Sequence, residues 1–108
     1  MIPLTPDHHT KTPNEIHTLS IDWSGTLSGS VELASVSVKV YDKYGTDKTS
    51  DILQDTAYIS GNYTIFTVKG GELGENYYIK IGVTLSNGNY LEAELPLYIR
   101  DRKIFHTT

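Results

Sequence analysis

The stretch NYYIKIGVTLSNGNYLEAELPLYIR, residues 76–100, decides the fold class. Apolar side chains occupy alternate positions on both sides of Asn87-Gly88, and polar side chains occupy most of the positions between them. This period of two predicts antiparallel strands with one face buried and the other in water. Asn and Gly tolerate positive φ, so they predict a two-residue hairpin turn. The side chains expected to face inward are Tyr77, Ile79, Ile81, Val83 and Leu85, then Leu91, Ala93, Leu95, Leu97 and Ile99.

Shorter segments of the same kind precede this hairpin. Residues 19–23, 36–40, 58–59 and 63–69 alternate or are rich in Val, Ile, Thr and Tyr, and turn residues separate them. Six or seven short strands with no long helix predict an immunoglobulin-like or fibronectin-like all-β sandwich. Within the turn-rich connection 41–55, Ser50 is expected to cap one helical turn that runs through Leu53.

Proline content separates the start of the chain from this sandwich. Pro3, Pro6 and Pro13 fall within the first thirteen residues, and proline removes backbone donors. We therefore expect an extended arm over residues 1–14 that makes no strand ladder. The expected organisation is this arm, a single sandwich domain over 15–100, and a short tail over 101–108.

Composition limits the possible functions. The 108 residues suffice for one core, and the absence of cysteine removes disulfides and thiolate chemistry. A net charge of −4 argues against nucleic acid as a partner. No apolar run approaches the roughly 20 residues that a membrane span requires. The first residues do not resemble a signal peptide, so we expect synthesis in a cytoplasm.

Metal binding has two candidate groups of residues. The histidines are His8, His9, His17 and His106, but adjacent side chains of an extended segment point in opposite directions. The aspartates of one connection, Asp42, Asp47, Asp51 and Asp55, do not follow the spacing of a calcium loop. Such aspartates usually accept hydrogen bonds from nearby backbone N–H groups. We expect no metal site.

Catalytic motifs are also missing from the sequence. There is no nucleophile elbow and no glycine-rich phosphate loop before a helix. Glu92 and Glu94 share one strand face, where solvation explains them better than a carboxylate pair in a cleft. We expect neither an enzyme nor a cofactor.

Apolar and aromatic side chains in exposed positions are the better candidates for function. Tyr78, Tyr90 and Tyr98 fall on the outward parity of the hairpin and could form one tyrosine-lined face, for protein contacts or for sugar stacking. Cross-strand stabilisation of the sheet is the alternative explanation. The two ends carry further apolar anchors for a partner, namely Ile2, Leu4, Ile104 and Phe105.

Four segments resemble a family of small bacteriophage virion proteins of the fibre–tail adaptor, immunoglobulin-like type. They are LSIDWSGTL (19–27), VKVYDKYGTDKTSDIL (38–53), VKGGELGENYYIKIGVTLSNG (68–88) and LEAELPLYIRDRK (91–103). The resemblance spans roughly residues 17–103 and leaves the arm outside. It implies a non-enzymatic virion component present in several copies, and it transfers no catalytic residue.

The function expected from this resemblance is a multi-copy adaptor at the phage tail or neck. Its partners would be tail, neck or fibre subunits, arranged in a symmetric assembly and contacted through the arm and the tail. Two alternatives stay open: a decoration protein on the capsid, which would contact the major capsid protein, and a carbohydrate-binding module that uses the three tyrosines.

Overall fold

The alternating segments of the sequence form the strands of the protein in a computed structural model, which describes residues 8–102. The strands are β1 (His9–Lys11), β2 (His17–Asp22), β3 (Leu33–Asp42), β4 (Leu53–Ser60), β5 (Tyr63–Val68), β6 (Asn76–Leu85) and β7 (Tyr90–Ile99). A helical turn, α1 (Thr49–Ile52), precedes β4. The predictions for Ile2, Leu4, Ile104 and Phe105 lie outside the described residues.

The strands form two sheets. The four-stranded sheet has the order β1-β7-β6-β3, and the three-stranded sheet has the order β2-β5-β4. All pairs are antiparallel except β1 with β7, which run parallel. The expected all-β sandwich is confirmed.

The core lies between the two sheets and follows the alternation of the sequence. All five inward residues expected from β6 are buried, as are Leu95, Leu97 and Ile99 of β7. Trp23 follows β2 and is fully buried, with its Nε1 donating to Thr64 Oγ1 at 3.0 Å. That hydrogen bond satisfies the one polar atom of a ring that the core encloses.

The N-terminal segment differs from its prediction. His9–Lys11 pair with Leu97–Ile99, and Arg100 N–H donates to the Lys11 carbonyl at 3.0 Å. The expectation that residues 1–14 make no ladder is therefore wrong for these three residues. No proline lies between His9 and Lys11, so backbone donors remain available there.

The β6–β7 hairpin also differs in one detail. Thr84 pairs with Tyr90, and Leu85 N–H donates to the Asn89 carbonyl, so the loop has three residues, Ser86 to Gly88. Of these, Gly88 has a positive φ of 90°. A two-residue loop would have placed an inward residue of β6 opposite an outward residue of β7. An odd loop length keeps both apolar sets on one face.

The 42–55 connection is organised by aspartates. The Asp42 side chain accepts hydrogen bonds from the backbone N–H groups of Tyr44 and Thr46, and the Asp47 side chain accepts from Thr49 N–H, each at 2.9 Å. The helical turn begins at Thr49 after this Asp47 contact, so Ser50 lies within it and does not cap it. Asp55 adopts a positive φ of 62° in an irregular stretch of β4 between Gln54 and Tyr58.

Candidate partner-binding surfaces

The three outward tyrosines of the hairpin do not form one platform. Tyr78 pairs with Pro96, so Tyr98 is its diagonal neighbour across β7. Tyr90 pairs instead with Thr84, six residues from Tyr78 along β6, which is about 20 Å of strand. The shared parity was predicted, but strand register places Tyr90 at the opposite end of the hairpin.

An aromatic row crosses the outer face of the four-stranded sheet, and we define it as Tyr41, Tyr78, Pro96 and Tyr98. Tyr41 and Tyr78 are direct partners between β3 and β6, and Pro96 continues the row on β7. Tyr41 was not predicted as a surface residue of interest. Its alternation with Val38 and Val40 could have indicated its outward side chain.

The Tyr98 ring is already in contact with two neighbours. His8 stacks on it with ring centroids 4.6 Å apart and an interplanar angle of 16°. The Arg100 guanidinium lies 5.2 Å from the centroid of the same ring. These contacts compete with a stacked sugar for the Tyr98 ring, and Tyr41 and Tyr78 are half-buried like Tyr98.

Tyr90 has a different environment. Its side chain crosses over Gly82 of β6, and a Cβ at Gly82 would collide with the Tyr90 hydroxyl and ring. An aromatic ring over a strand glycine covers backbone that no side chain protects. Tyr90 nevertheless remains 57% exposed.

A second apolar surface lies on the outer face of the three-stranded sheet. Tyr58 of β4 and Tyr63 of β5 are 56% and 45% exposed. Ile65 is the register partner of Tyr58 and lies two residues after Tyr63 on the same face of β5. Their neighbours on β2 are Ser20 and Asp22. The alternation Tyr63, Ile65, Thr67 within β5 was the available signal for this face.

The terminal cluster, which we define as His9, Lys11, Glu15, His17 and Arg102, joins the beginning and end of the described chain. Glu15 accepts from Thr12 N–H at 2.9 Å and from both Arg102 guanidinium nitrogens at 2.5 and 3.2 Å. Glu15 Oε1 also lies 3.4 Å from His17 Nε2. His17 Nδ1 in turn lies 2.7 Å from His9 Nε2.

Lys11 is the buried cation of this cluster. Its side chain is fully buried, and Nζ donates to the carbonyls of Thr12, at 2.7 Å, and of Gly70. Burial lowers the pKa of Lys11, and Glu15 partly offsets this effect. Burial also lowers the pKa of His9, assisted by His17 and Lys11. The hydrogen bond from Thr12 N–H is the main cause that lowers the pKa of Glu15.

The histidines considered as metal ligands contact different neighbours in the structure. His8 points to Tyr98 and His9 to His17, as adjacent residues of a strand should. The His9–His17 contact was not predicted, because the two residues lie on strands of different sheets. Among residues 8–102, no group of three or more His, Asp or Glu side chains is arranged to hold a metal ion.

The two carboxylates considered from the sequence as a possible catalytic pair do not line a cavity found among residues 8–102. Glu92 and Glu94 lie on the outer face of the four-stranded sheet, opposite Gly82 and Lys80. An open cavity of about 380 Å³ lies elsewhere, beside Asp42, Tyr44, Lys48, Asp51, Glu72 and Glu75. At this cavity the Asp42 side chain accepts a hydrogen bond from Tyr44 N–H of its own turn, and Glu75 Oε2 lies 3.6 Å from Lys43 Nζ. Over the described part of the chain, no helix is long and apolar enough to cross a membrane.

Two solved structures share the fold of this chain. The crystal structure of CopC from Methylosinus trichosporium OB3b matches with a TM-score of 0.64 at 14% identity, covering 97% of this chain and 98% of that one. Murine CRIg matches with a TM-score of 0.52 at 14% identity, covering 94% and 97% respectively. Identities this low show the immunoglobulin-like fold alone. No curated protein matches the sequence significantly.

The sequence itself matches a protein family over most of the sandwich. The family is described as podophage GP4 fiber-tail adaptor protein gp77, and the match covers residues 11–98. It begins at the buried Lys11 of β1 and ends within β7, so it includes both sheets. The chain therefore belongs to the podophage GP4 fiber-tail adaptor protein gp77 family.

Proposed function

We propose that this chain is a non-enzymatic virion protein of a podophage that occurs in several copies at the tail or neck. It joins tail and fibre components there, and it is made in the cytoplasm of the host bacterium. The observation that carries this proposal is the family match over residues 11–98. The immunoglobulin-like sandwich supports it, because such domains present rigid surfaces on which protein contacts can be built.

The two ends of the chain are proposed as the attachment segments. β1 pairs with the end of β7, and Arg102 follows β7, so the two ends of the described chain lie beside the same strand of the four-stranded sheet. Ile2 and Leu4 precede β1, and Ile104 and Phe105 follow Arg102. The sandwich then acts as a spacer of fixed geometry between two partner proteins.

The outward aromatic side chains are proposed as additional protein contacts. Tyr41 and Tyr78 of the aromatic row offer adjacent rings, whereas Tyr90 stands alone over Gly82. Tyrosine is enriched at protein interfaces because it combines a large apolar surface with a polar hydroxyl. Tyr78→Ser is expected to weaken capture of the chain by isolated virion tails, whereas Ser37→Ala on the same face is the matched control. Equal capture of both variants would remove Tyr78 from the interface.

Immunogold labelling of virions tests the location. Label at the tail or neck is the expected result. Label over the head would assign the chain to capsid decoration, and particles without label would remove it from the virion. Either of the last two results contradicts the proposal.

Deletion of residues 1–7 tests the role of the arm. The deletion ends before β1 begins, so the purified variant is expected to keep the melting temperature of the full chain. Its incorporation into virions, measured by mass spectrometry of purified particles, is expected to fall at least tenfold. Deletion of residues 103–108 gives the parallel test of the tail. Normal incorporation of both shortened chains would contradict attachment through the ends.

A further inference from the structure

The outer face of the three-stranded sheet is a grid of nine side chains, which we define as the β5 face. β5 is its middle strand, between β2 and β4. Strand register arranges the nine positions in three rows: Thr18, Thr67 and Gln54, then Ser20, Ile65 and Tyr58, then Asp22, Tyr63 and Ser60. Asp22 is the one charged side chain among the nine. A ligand that covers this face therefore removes little charge from water.

The two tyrosines of the β5 face are diagonal neighbours across β4 and β5, about 7–8 Å apart. Within residues 8–102, neither ring stacks on another aromatic ring or has a cation over its face. Other tyrosines differ, because His8 stacks on Tyr98 and Lys43 Nζ lies 5.3 Å from the Tyr44 centroid. With 56% and 45% exposure, Tyr58 and Tyr63 offer two adjacent rings to a ligand.

Groups that form hydrogen bonds surround the two rings. Ser20 shares the row of Tyr58, Ser60 shares the row of Tyr63, and both serines are exposed. Each hydroxyl can donate one hydrogen bond and accept others, as the hydroxyls of a sugar do. Asp22 adds a carboxylate that accepts hydrogen bonds. The β5 face thus combines apolar rings with polar groups whose chemistry matches that of a sugar.

An open cavity of about 300 Å³ borders the β5 face at the row of Tyr63. Asn62, which precedes Tyr63, lines this cavity together with Ser24 and Ser30. Asp22 Oδ1 accepts a hydrogen bond from Ser24 N–H at 2.9 Å, so the face and the cavity adjoin. The volume is at the lower end of the range for ligand pockets. A ligand longer than the pair of rings can therefore extend into a second polar site.

The β5 face is small. Two strand spacings separate β2 from β4, and four residues of β5 separate the first row from the third. The outermost Cα atoms therefore span about 10 Å by 13 Å. A specific protein interface covers about 800 Å² on each partner, which is several times this area. The dimensions fit an oligosaccharide of a few sugars better than a protein surface.

The outer face of the four-stranded sheet has a different chemistry. It presents Lys39, Lys80, Glu92 and Glu94 on its three long strands. Covering four charges favours a partner that supplies complementary charges, as a protein surface can. An uncharged sugar cannot supply them. The protein contacts proposed above therefore belong to the four-stranded sheet, and the β5 face suits an uncharged ligand.

We propose that the β5 face binds a neutral polysaccharide. The C–H face of one or two pyranose rings packs on Tyr58 and Tyr63, and their hydroxyls form hydrogen bonds with Ser20, Ser60 and Asp22. The polysaccharide continues past Asn62 into the adjoining cavity. This binding goes beyond the adaptor role, because it gives the chain a ligand that is not a virion protein. It also differs from the three-tyrosine platform expected from the sequence, whose members register separates.

Affinity electrophoresis of the purified full-length chain tests this proposal. Native gels contain one neutral polysaccharide each: hydroxyethylcellulose, laminarin, dextran or galactomannan. At least one of these is expected to retard the chain in proportion to its concentration, which gives a Kd. Alginate is the charged comparison, and it is expected not to retard a chain of net charge −4.

Variants assign the binding to the two rings. Tyr58→Ser and Tyr63→Ser are each expected to raise the Kd about tenfold, because each removes one stacked ring. Tyr63→Phe keeps the ring and is expected to retain most of the affinity. Tyr44→Ser is the matched control, since Tyr44 is 81% exposed but lies outside the β5 face. Thermal melting of each purified variant shows that the variant is folded.

Four results would overturn the proposal. They are no retardation by any of the four neutral polysaccharides, stronger retardation by alginate, an unchanged Kd for Tyr63→Ser, and an equal rise in Kd for Tyr44→Ser. Reduced capture of Tyr63→Ser by isolated virion tails, without any polysaccharide binding, would assign the β5 face to a protein partner instead. Virion labelling does not depend on these gels, so the proposed function is tested separately.

Discussion

At the residue scale, Lys11 occupies a position that lysine rarely occupies. Fully buried lysines need compensation, and here two carbonyl groups provide it. The carbonyls belong to Thr12 and Gly70, so the ammonium group connects β1 to the loop that precedes β6. The stem of the side chain continues the inward row of Leu97 and Ile99 by packing at the register position of Ile99.

Replacing Lys11 should therefore cost stability. Lys11→Met keeps the apolar stem but removes the ammonium donor from the Gly70 and Thr12 carbonyls, of which Thr12 keeps only the Glu15 N–H donor at 3.2 Å. We expect this loss to cost about 1–3 kcal/mol in free energy of unfolding. Urea denaturation measures the change. The control Lys80→Met alters an exposed lysine and is expected to remain within about 0.5 kcal/mol of the original chain. A Lys11→Met variant as stable as the control would mean that relief of charge burial outweighs the lost hydrogen bonds.

Gly82 and Tyr90 should be energetically coupled. Gly82→Ala alone forces the Tyr90 ring to move, which opposes the gain of about 0.5–1 kcal/mol that Ala usually gives over Gly in a strand. In a Tyr90→Ala background the same change meets no ring and should be stabilising. The double-mutant cycle, measured by urea denaturation, should give a coupling of about 1 kcal/mol. Additive effects would show that the ring does not lie over Gly82 in solution.

At the element scale, β1 is held by few backbone pairs and by titratable side chains. His9 contacts His17, and Glu15 holds both the Thr12 N–H and Arg102. Lys11 is on the same strand and adds positive charge beside His9, while His8 points to the other face. One neutral imidazole nitrogen must accept in the His9–His17 hydrogen bond, so protonation of both rings removes it.

Acid should therefore release β1. The pKa of His9 is lowered in the folded chain, so the released segment binds more protons between that lowered pKa and 6.5. The contribution of His9 to the stability of docked β1 is complete above pH 6.5. It is lost as the pH falls from 6.5 through the lowered pKa of His9. Glu15 has a lowered pKa and acts in the same direction, losing its contribution as the pH falls below 4.5 toward its folded value. Hydrogen-exchange protection of Arg100 N–H should fall on acidification, after correction for intrinsic rates.

A histidine variant separates this effect from general acid unfolding. His9→Gln keeps a polar side chain that cannot be protonated, so protection of Arg100 N–H should depend less on pH above 4.5. Core amides such as Ile81 N–H should remain protected in both chains over this range. The same pH dependence in both chains would show that His9 does not control the docking of β1.

The hairpin shows what local sequence can and cannot predict about an element. Alternation predicted the inward residues of β6 and β7 because side-chain direction depends only on the strand period. The same parity implied an odd loop, since Leu85 and Leu91 could not otherwise share a face, but the Asn-Gly signal favoured two residues. Parity also predicted outward tyrosines without predicting distances between them. Those distances depend on register, which separates Tyr90 from Tyr78.

At the whole-molecule scale, the sandwich combines two local hairpins with three pairings between strands that are distant in sequence. Hairpins connect β4 with β5 and β6 with β7, and these were the parts most readable from sequence. The parallel β1–β7 pair joins residues nearly the full chain apart, and no local pattern encodes such a partner. Burial of Lys11 was unpredictable for the same reason, since Gly70 must approach it from another loop. The His9–His17 contact likewise depends on the packing of two sheets.

We propose that the β1–β7 pairing moves the beginning of the folded unit from residue 15 to the first residues of β1. Two truncations measure the boundary. Removing residues 1–7 should leave the melting temperature nearly unchanged, because β1 and the terminal cluster remain. Removing residues 1–11 deletes the β1 strand, the buried Lys11 and the His9–His17 contact together. A loss of about 2 kcal/mol would lower the melting temperature by roughly 8–16 °C in a domain of this size.

The second truncation also uncovers backbone groups of β7 from Leu97 to Ile99, which β1 otherwise covers. We therefore expect it to aggregate on heating more readily than the first, because the uncovered edge becomes longer. Calorimetry and light scattering on the two purified chains distinguish the outcomes. Equal melting temperatures for both truncations would show that β1 contributes little to stability. The folded unit would then begin near residue 15, and residues 9–11 would belong to the arm in energetic terms.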